Sequence, residues 1–174
     1  MTISRRWLLP LAGGAVLVYF LSAVPEERET AKPPGSAAPA FVLPDLQGKP
    51  VALDSFRGRP TLLNFWATWC PPCRAEMPDL ESLSEAKDDC LTVVGIAIGS
   101  GGPEQAGGFA RKYGLRYQML IGNDQVAADY AVRTIPRSVL LDSRGNEAAH
   151  WDGLIDPSTV RAAVRALGPA PVRC

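Results

Sequence analysis

Residues 61–67, Thr-Leu-Leu-Asn-Phe-Trp-Ala, form a run that is apolar at nearly every position. Seven residues are the length of a strand, and the absence of polar alternation is typical of a strand buried on both faces. A strand of this kind needs packing partners above and below its sheet. The run therefore favours a layered fold in which helices cover a central sheet.

Strand-like and helix-like segments alternate along the chain, which predicts an α/β sandwich around a central mixed sheet with an antiparallel edge formed by the last hairpin. The predicted strands cover residues 41–43, 51–53, 61–67, 91–98, 117–121, 138–142 and 147–151, and the predicted helices cover residues 71–87, 104–113, 123–132 and 157–167. The first two strands predict an N-terminal hairpin.

Length and charge limit the classes of function. The chain has 174 residues, enough for one ordinary domain and a short appendage. Its 18 basic residues equal its 18 acidic residues, and no basic run exceeds two, which argues against a nucleic-acid partner. We expect neither a cofactor nor a bound metal.

The amino-terminal segment predicts a membrane anchor. Residues 7–24 carry no charge and are just long enough as a helix to cross a bilayer. Arg5 and Arg6 precede them, so the positive-inside rule places residues 1–24 as a single-pass anchor in the cytoplasmic membrane, with the rest facing the periplasm or exterior. A cleaved signal peptide is the competing interpretation, and a buried core helix is another. Residues 4–6, Ser-Arg-Arg, also suggest a twin-arginine export signal, which changes the export route but not the destination.

Changes in amino-acid composition and predicted secondary structure divide the remaining chain into three parts. Residues 25–39 are rich in Pro and Ala and predict a flexible linker. Residues 40–168 carry the strands and helices of the domain, and residues 169–174 form a short tail.

Two of the four cysteines lie where a strand turns into a helix, in Trp69-Cys70-Pro71-Pro72-Cys73. A helix N-terminus stabilises a thiolate, so Cys70 is the predicted nucleophile. Cys73 lies one turn later and is close enough to resolve a mixed disulfide. Pro71 and Pro72 each lack an N–H, so we expect a moderate lowering of the Cys70 pKa.

Two other interpretations of the cysteine pair stay open. Cys70 and Cys73 are half of a zinc site in some proteins, but a four-ligand cage here requires Cys90 and Cys174. A permanent structural disulfide is the second alternative. His150 is the one histidine and is interpreted as a surface or hydrogen-bonded residue.

Residues 65–73, Phe-Trp-Ala-Thr-Trp-Cys-Pro-Pro-Cys, together with Pro78 and residues 134–136, Thr-Ile-Pro, resemble thioredoxin-like proteins. More narrowly, the chain resembles the membrane-anchored branch typified by TlpA, ResA and the cytochrome c maturation reductase CcmG. The resemblance covers residues 40–168 and implies a thioredoxin-like sandwich with a strand–helix insertion between its two halves.

The resemblance also implies roles around the cysteines. Pro136 matches the cis-proline loop that lies against the disulfide and presents backbone to a substrate strand, with Ile135 just before it. Trp69, Pro71 and Pro72 belong to the same active-site surface.

Glu76 matches an acid that these reductases keep near the active site, where a partly buried carboxylate with a raised pKa takes the proton from Cys73. An exposed helical glutamate is the alternative. Asn64 stands where cytoplasmic thioredoxins carry a buried aspartate, which leaves Glu76 as the better candidate. Trp66 is expected to pack beside the site.

Cys90 and Cys174 lie outside the motif, and the fold that the resemblance implies brings both toward the end of the sheet far from the motif. We predict a structural disulfide between them, which stabilises by roughly 4–5 kcal/mol through closing a loop of about 85 residues. Two unconnected thiols or an intermolecular link from Cys174 is the alternative.

The predicted function is thiol–disulfide exchange outside the cytoplasm. The resemblance implies client proteins with disulfides, such as apocytochrome c or a copper-site assembly protein, and an electron donor of the DsbD or CcdA type in the membrane. A disulfide oxidase or isomerase on the same fold is one alternative, and a copper chaperone is another. A peroxidase is disfavoured because Ala67 stands where such enzymes carry a threonine.

Overall fold

The computed structural model describes residues 35–86 and 90–168, which form a five-stranded mixed sheet and a separate two-stranded hairpin. The strands are β1 (Val42–Pro44), β2 (Pro50–Ala52), β3 (Thr61–Trp66), β4 (Thr92–Ala97), β5 (Gln118–Ile121), β6 (Arg137–Leu141) and β7 (Glu147–Asp152), and the helices are α1 (Pro71–Glu85), α2 (Pro103–Tyr113), α3 (Asp124–Asp129) and α4 (Pro157–Ala166). The predicted α/β sandwich is confirmed.

The apolar run becomes β3, the central strand of the sheet order β5-β4-β3-β6-β7. β4 and β5 are parallel to it, while β6 and β7 supply the antiparallel edge. All six residues of β3 are buried, as a strand packed on both faces requires. In the ladder, Asn64 of β3 lies between Gly95 of β4 and Ser138 of β6.

The side chains of β3 alternate between two apolar layers. Leu62 and Trp66 enter the layer that also receives the buried residues of α1 and α4, and Leu63 and Phe65 enter the opposite layer. Along α1, the core residues Met77, Leu80 and Leu83 recur every third position and so share one face. The sheet therefore separates a helix-covered layer around the cysteines from a second layer.

The hairpin and the insertion lie near the β5 edge. β1 and β2 pair in antiparallel register, and an isolated bridge joins Asp45 to Leu120 of β5. β5 and α3 lie in sequence between β4 and β6, in the region where the strand–helix insertion is predicted. A short 3-10 helix, Leu53–Phe56, follows β2 and ends its extended segment.

The helix predicted over residues 123–132 was too long. α3 begins after the Asn123 cap, whose side chain accepts a hydrogen bond from the Val126 amide, and it ends at Asp129. Ala131 has φ of +50°, a left-handed conformation that cannot continue a right-handed helix. The left-handed turn thus limits α3 to six residues.

The predicted anchor over residues 1–24, the tail over residues 169–174 and most of the predicted linker lie outside the described residues. Within the described ranges, no helix has the length and apolar character needed to cross a membrane. The division of the chain into anchor, linker, domain and tail stays a prediction.

Candidate active site

Cys70 and Cys73 form a disulfide at the start of α1, with an S–S distance of 2.01 Å and their Cα atoms 5.3 Å apart. β3 delivers the chain to this point, and Cys70 caps the helix in an extended conformation. Both cysteines are buried. The site is therefore a redox pair held in its oxidised form, and the structure places the two sequence-predicted cysteines in direct bonding contact.

The first turn of α1 directs one amide at the predicted nucleophile. Pro71 and Pro72 occupy the first two helical positions and carry no N–H, so Cys73 provides the first amide of the helix. That amide donates to Cys70 Sγ at 3.2 Å. A hydrogen-bond donor and the positive end of the helix dipole both favour a thiolate at Cys70 once the disulfide is reduced.

The loop before β6 lies against the disulfide. The Ile135–Pro136 peptide bond is cis, and the Ile135 carbonyl oxygen lies 3.8 Å from Cys70 Sγ. Pro136 is buried, and its own carbonyl accepts a hydrogen bond from the Gly153 amide at 2.8 Å. This arrangement puts the backbone of Ile135 beside Cys70, and the substrate-binding role of the loop stays a prediction.

Trp69 forms the exposed rim of the site. Its side chain is 65% exposed, although its Nε1 donates to the Gly99 carbonyl at 2.9 Å. Beside it an apolar groove of about 190 Å³ is lined in part by Trp69, Ile98, Val132 and Ile135. Trp66, in contrast, is fully buried against Phe109. The two tryptophans therefore differ in kind, one facing solvent and the other filling the core.

Glu76 lies in the core one turn after Cys73, with 1% of its surface exposed. Its Oε1 accepts a hydrogen bond from Asn64 Nδ2 at 2.6 Å, and its Oε2 has no hydrogen-bond partner among the described residues. Burial raises the pKa of Glu76 from 4.5 to about 7, and the hydrogen bond from Asn64 opposes that rise. The carboxyl is buried more deeply than the predicted partial burial.

Two site residues escaped the sequence analysis. Ser138 is fully buried and accepts the second hydrogen bond of Asn64 Nδ2 at 3.0 Å. Arg137 is buried beside the cis-proline, and its side chain donates to the Tyr130 carbonyl at 3.0 Å and to Asp152 at 2.6 Å. Arg137 and Ser138 are the first two residues of β6, immediately after Pro136. Their nearness in sequence to this motif proline was the signal that could have identified them.

The sequence analysis also singled out Cys90, Cys174 and His150, which lie outside the Cys70–Cys73 motif. Cys90 is disulfide-bonded and precedes β4, at the end of the sheet far from Cys70, while Cys174 lies outside the described residues. The pairing of Cys90 with Cys174 stays a prediction. His150 is exposed on β7, where its Nδ1 lies 2.8 Å from Glu147 Oε1.

Comparison with known proteins places the chain in a family. The model of the AhpC/TSA family matches residues 34–149, about two thirds of the chain. The thioredoxin-like protein YneN of Bacillus subtilis is 39% identical over 121 residues, which are 68% of this chain and 71% of YneN. The thiol-disulfide oxidoreductase ResA of Geobacillus thermodenitrificans is 32% identical over 157 residues, which are 89% of this chain and 90% of ResA.

A solved structure agrees with the sequence relatives. A thiol:disulfide interchange protein of the thioredoxin family from Chlorobium tepidum superimposes with a TM-score of 0.69 and 27% identity, over 79% of this chain and all of that one. Thiol–disulfide interchange is the chemistry expected of a redox-active cysteine pair beside a cis-proline loop. The chain belongs to the AhpC/TSA family of thioredoxin-like proteins and is a thiol–disulfide oxidoreductase of the ResA type.

Proposed function

We propose that this oxidoreductase is a membrane-tethered reductase outside the cytoplasm, and that its clients include the haem-binding cysteine pair of apocytochrome c. The observation that carries the proposal is the Cys70–Cys73 disulfide at a helix N-terminus, with the Ile135 carbonyl beside the first sulfur. The resemblance to ResA and to cytochrome c maturation reductases supports the choice of client.

Reduction of a client proceeds by two exchanges. The Cys70 thiolate attacks one sulfur of the client disulfide, forms a mixed disulfide, and displaces the other client sulfur as a thiolate that takes up a proton. Cys73 then loses its proton and attacks Cys70 Sγ, which restores the Cys70–Cys73 bond and releases the second client thiol. Two electrons pass from the protein dithiol to the client disulfide.

Glu76 is the proposed acceptor of the Cys73 proton. It lies one helical turn beyond Cys73, in the same buried layer. With a pKa of about 7, it is ionised in part of the molecules near neutral pH and gains a proton readily. The other acids of α1, Asp79, Glu81 and Glu85, lie further along the helix from Cys73 and are not among its buried residues. The role therefore falls to Glu76.

The tether is proposed to enter the domain at the end of the sheet opposite the disulfide. Gly35 donates to the Glu147 carbonyl at 2.8 Å, and the Glu147 amide donates to the Ser36 carbonyl at 3.0 Å. Glu147 pairs with Leu141, which lies beside Thr61 at the far end of β3. This entry point leaves the cysteine face open to a client and to a membrane donor of the DsbD or CcdA type.

The experiment that tests the client traps the mixed disulfide. Cys73→Ser keeps the nucleophile and removes the resolving thiol, so expression in native membranes is expected to accumulate Cys70-linked apocytochrome c. The matched control is Cys70→Ser, which is expected to carry no client. Mass spectrometry that finds Cys70 linked only to proteins without a haem-binding cysteine pair would contradict the proposed client.

The direction of exchange needs a separate measurement. A reductase requires a low reduction potential, whereas a value above about −150 mV favours an oxidase. Equilibration of the full chain with glutathione buffers of known potential measures it. A potential in the oxidase range would replace the reductase by the disulfide oxidase on the same fold.

A further inference from the structure

Asn64 connects the helix of the cysteines to the strand of the cis-proline. It lies in the middle of β3 with no exposed surface, and its Nδ2 donates to Glu76 Oε1 at 2.6 Å and to Ser138 Oγ at 3.0 Å. Both amide hydrogens are therefore used by residues of two different elements, α1 and β6. All three side chains are buried, so each hydrogen bond acts in a medium that screens little.

This pattern fits an ionised Glu76. A carboxylate accepts hydrogen bonds only, and the Asn64 amide presents a donor to it. The second donor hydrogen is directed at Ser138 Oγ, so the amide nitrogen faces the carboxyl in this structure. A hydrogen bond to an ionised acceptor is about twice as strong as one between neutral groups, so the contact favours the charged form.

The same amide also fits a protonated Glu76. Asn64 Oδ1 and Glu76 Oε2 both lack hydrogen-bond partners within the described part of the chain. If Asn64 rotates by half a turn about its last torsion, Oδ1 can accept from the carboxylic acid and from the Ser138 hydroxyl. An ionised aspartate at this position has no donor for an ionised Glu76.

We propose that Asn64, oriented by Ser138, is a positioning residue that holds Glu76 ionisable in the core and so sets the pH range in which Cys73 resolves the mixed disulfide. The second half of this statement rests on the proposed proton transfer to Glu76. The first half concerns the oxidised protein alone and is independent of any client.

The other groups around Glu76 act on its ionisation in both directions. The charge of Asp79, on the same helix, raises the pKa of Glu76. The backbone amide of Ile155, in the segment before α4, lowers it. From the segment before β5, the Tyr117 side chain is buried, and burial raises its pKa so that it stays neutral. Asn64 therefore supplies the side-chain hydrogen bond that stabilises the charge.

Infrared titration of the Glu76 carboxyl in the oxidised full chain, between about pH 5 and 11, tests the first half. Asn64→Leu keeps the volume and removes the donor, and we expect the pKa of Glu76 to rise by about 1 to 2. That rise is a loss of the ionised form of about ten- to hundred-fold at a fixed lower pH. Ser138→Ala is expected to shift it in the same direction by less.

Asn64→Asp is the complementary variant, because it retains the shape and replaces the donor by a second carboxyl. Two carboxyl groups at this separation share one proton, so the pair is expected to titrate in two separated steps. Leu63→Val is the matched control. It removes one methylene from a side chain of the same strand on the opposite face, which is equally buried. It is expected to lower stability and to leave the Glu76 titration in place.

A Glu76 titration in Asn64→Leu that coincides with the wild type overturns the proposal, and so does a single unshifted step in Asn64→Asp. If Asn64→Leu does not fold, the titrations of Ser138→Ala and Asn64→Asp decide between the two outcomes. The two proposals fail separately. If the pKa of Glu76 moves while the pH profile of mixed-disulfide release does not, proton transfer from Cys73 to Glu76 is refuted and the positioning role stands.

Discussion

The burial of Glu76 makes a quantitative prediction about stability and pH. A pKa raised from 4.5 to about 7 means that the folded protein holds this proton more tightly than the unfolded chain. The resulting stabilisation is complete below about pH 4.5 and is lost as the pH rises through about 7. The size of the loss is about 3 kcal/mol, because each step of one in pKa corresponds to about 1.4 kcal/mol.

Glu76→Gln isolates this effect, since it keeps the shape and the hydrogen bond from Asn64 but cannot ionise. We expect the variant to gain about 3 kcal/mol relative to the wild type between about pH 4 and about pH 8. The assay is guanidinium unfolding of both oxidised proteins at the two pH values, where the disulfide keeps Cys70 and Cys73 from titrating.

Comparing the two proteins at each pH cancels the groups that they share. Glu104→Gln is the matched control, because it changes an exposed carboxyl in the first turn of α2. A stability difference between Glu76→Gln and the wild type that is the same at both pH values would refute the reasoning, since it would mean that burial does not raise the proton affinity of Glu76.

Three further substitutions test the packing and the rim. Gly95→Ala places a Cβ 2.6 Å from Met119 Sδ, and we expect a loss of about 1–3 kcal/mol by urea unfolding. Arg137→Met removes the hydrogen bonds to the Tyr130 carbonyl and Asp152, and a loss of about 2–4 kcal/mol in the same assay is expected. Trp69→Ala leaves stability within about 1 kcal/mol, because the side chain is largely exposed, and raises KM for a disulfide peptide.

The fold could be predicted because its local signals agree with its tertiary contacts. Residues 61–67 are apolar enough to require burial on both faces, and the prolines after Cys70 suit the first turn of a helix. Two features had no local signal. The left-handed Ala131 that ends α3 and the 3-10 turn at Leu53–Phe56 depend on packing around them.

The candidate site was predictable in part. Cys70 and Cys73 are close in sequence, so their contact follows from one helical turn. Ser138 lies 74 residues from Asn64, and its contact follows only from the register that pairs β6 with β3. The depth of Glu76 likewise requires knowledge of the sheet beneath α1, which a helix pattern alone leaves open.

The central claim is that Cys70 attacks first and Cys73 resolves. The most direct measurement uses the variants Cys70→Ser and Cys73→Ser, each of which keeps one cysteine of the motif. Each reduced variant is allowed to react with a disulfide-bonded peptide, and mass spectrometry then locates the attached peptide. We expect Cys73→Ser to accumulate one peptide on Cys70 and Cys70→Ser to accumulate none, because Cys70 is the residue at the helix N-terminus whose sulfur accepts the Cys73 amide hydrogen bond, which stabilises its thiolate. An adduct on Cys73 that forms as fast as the one on Cys70 would contradict it.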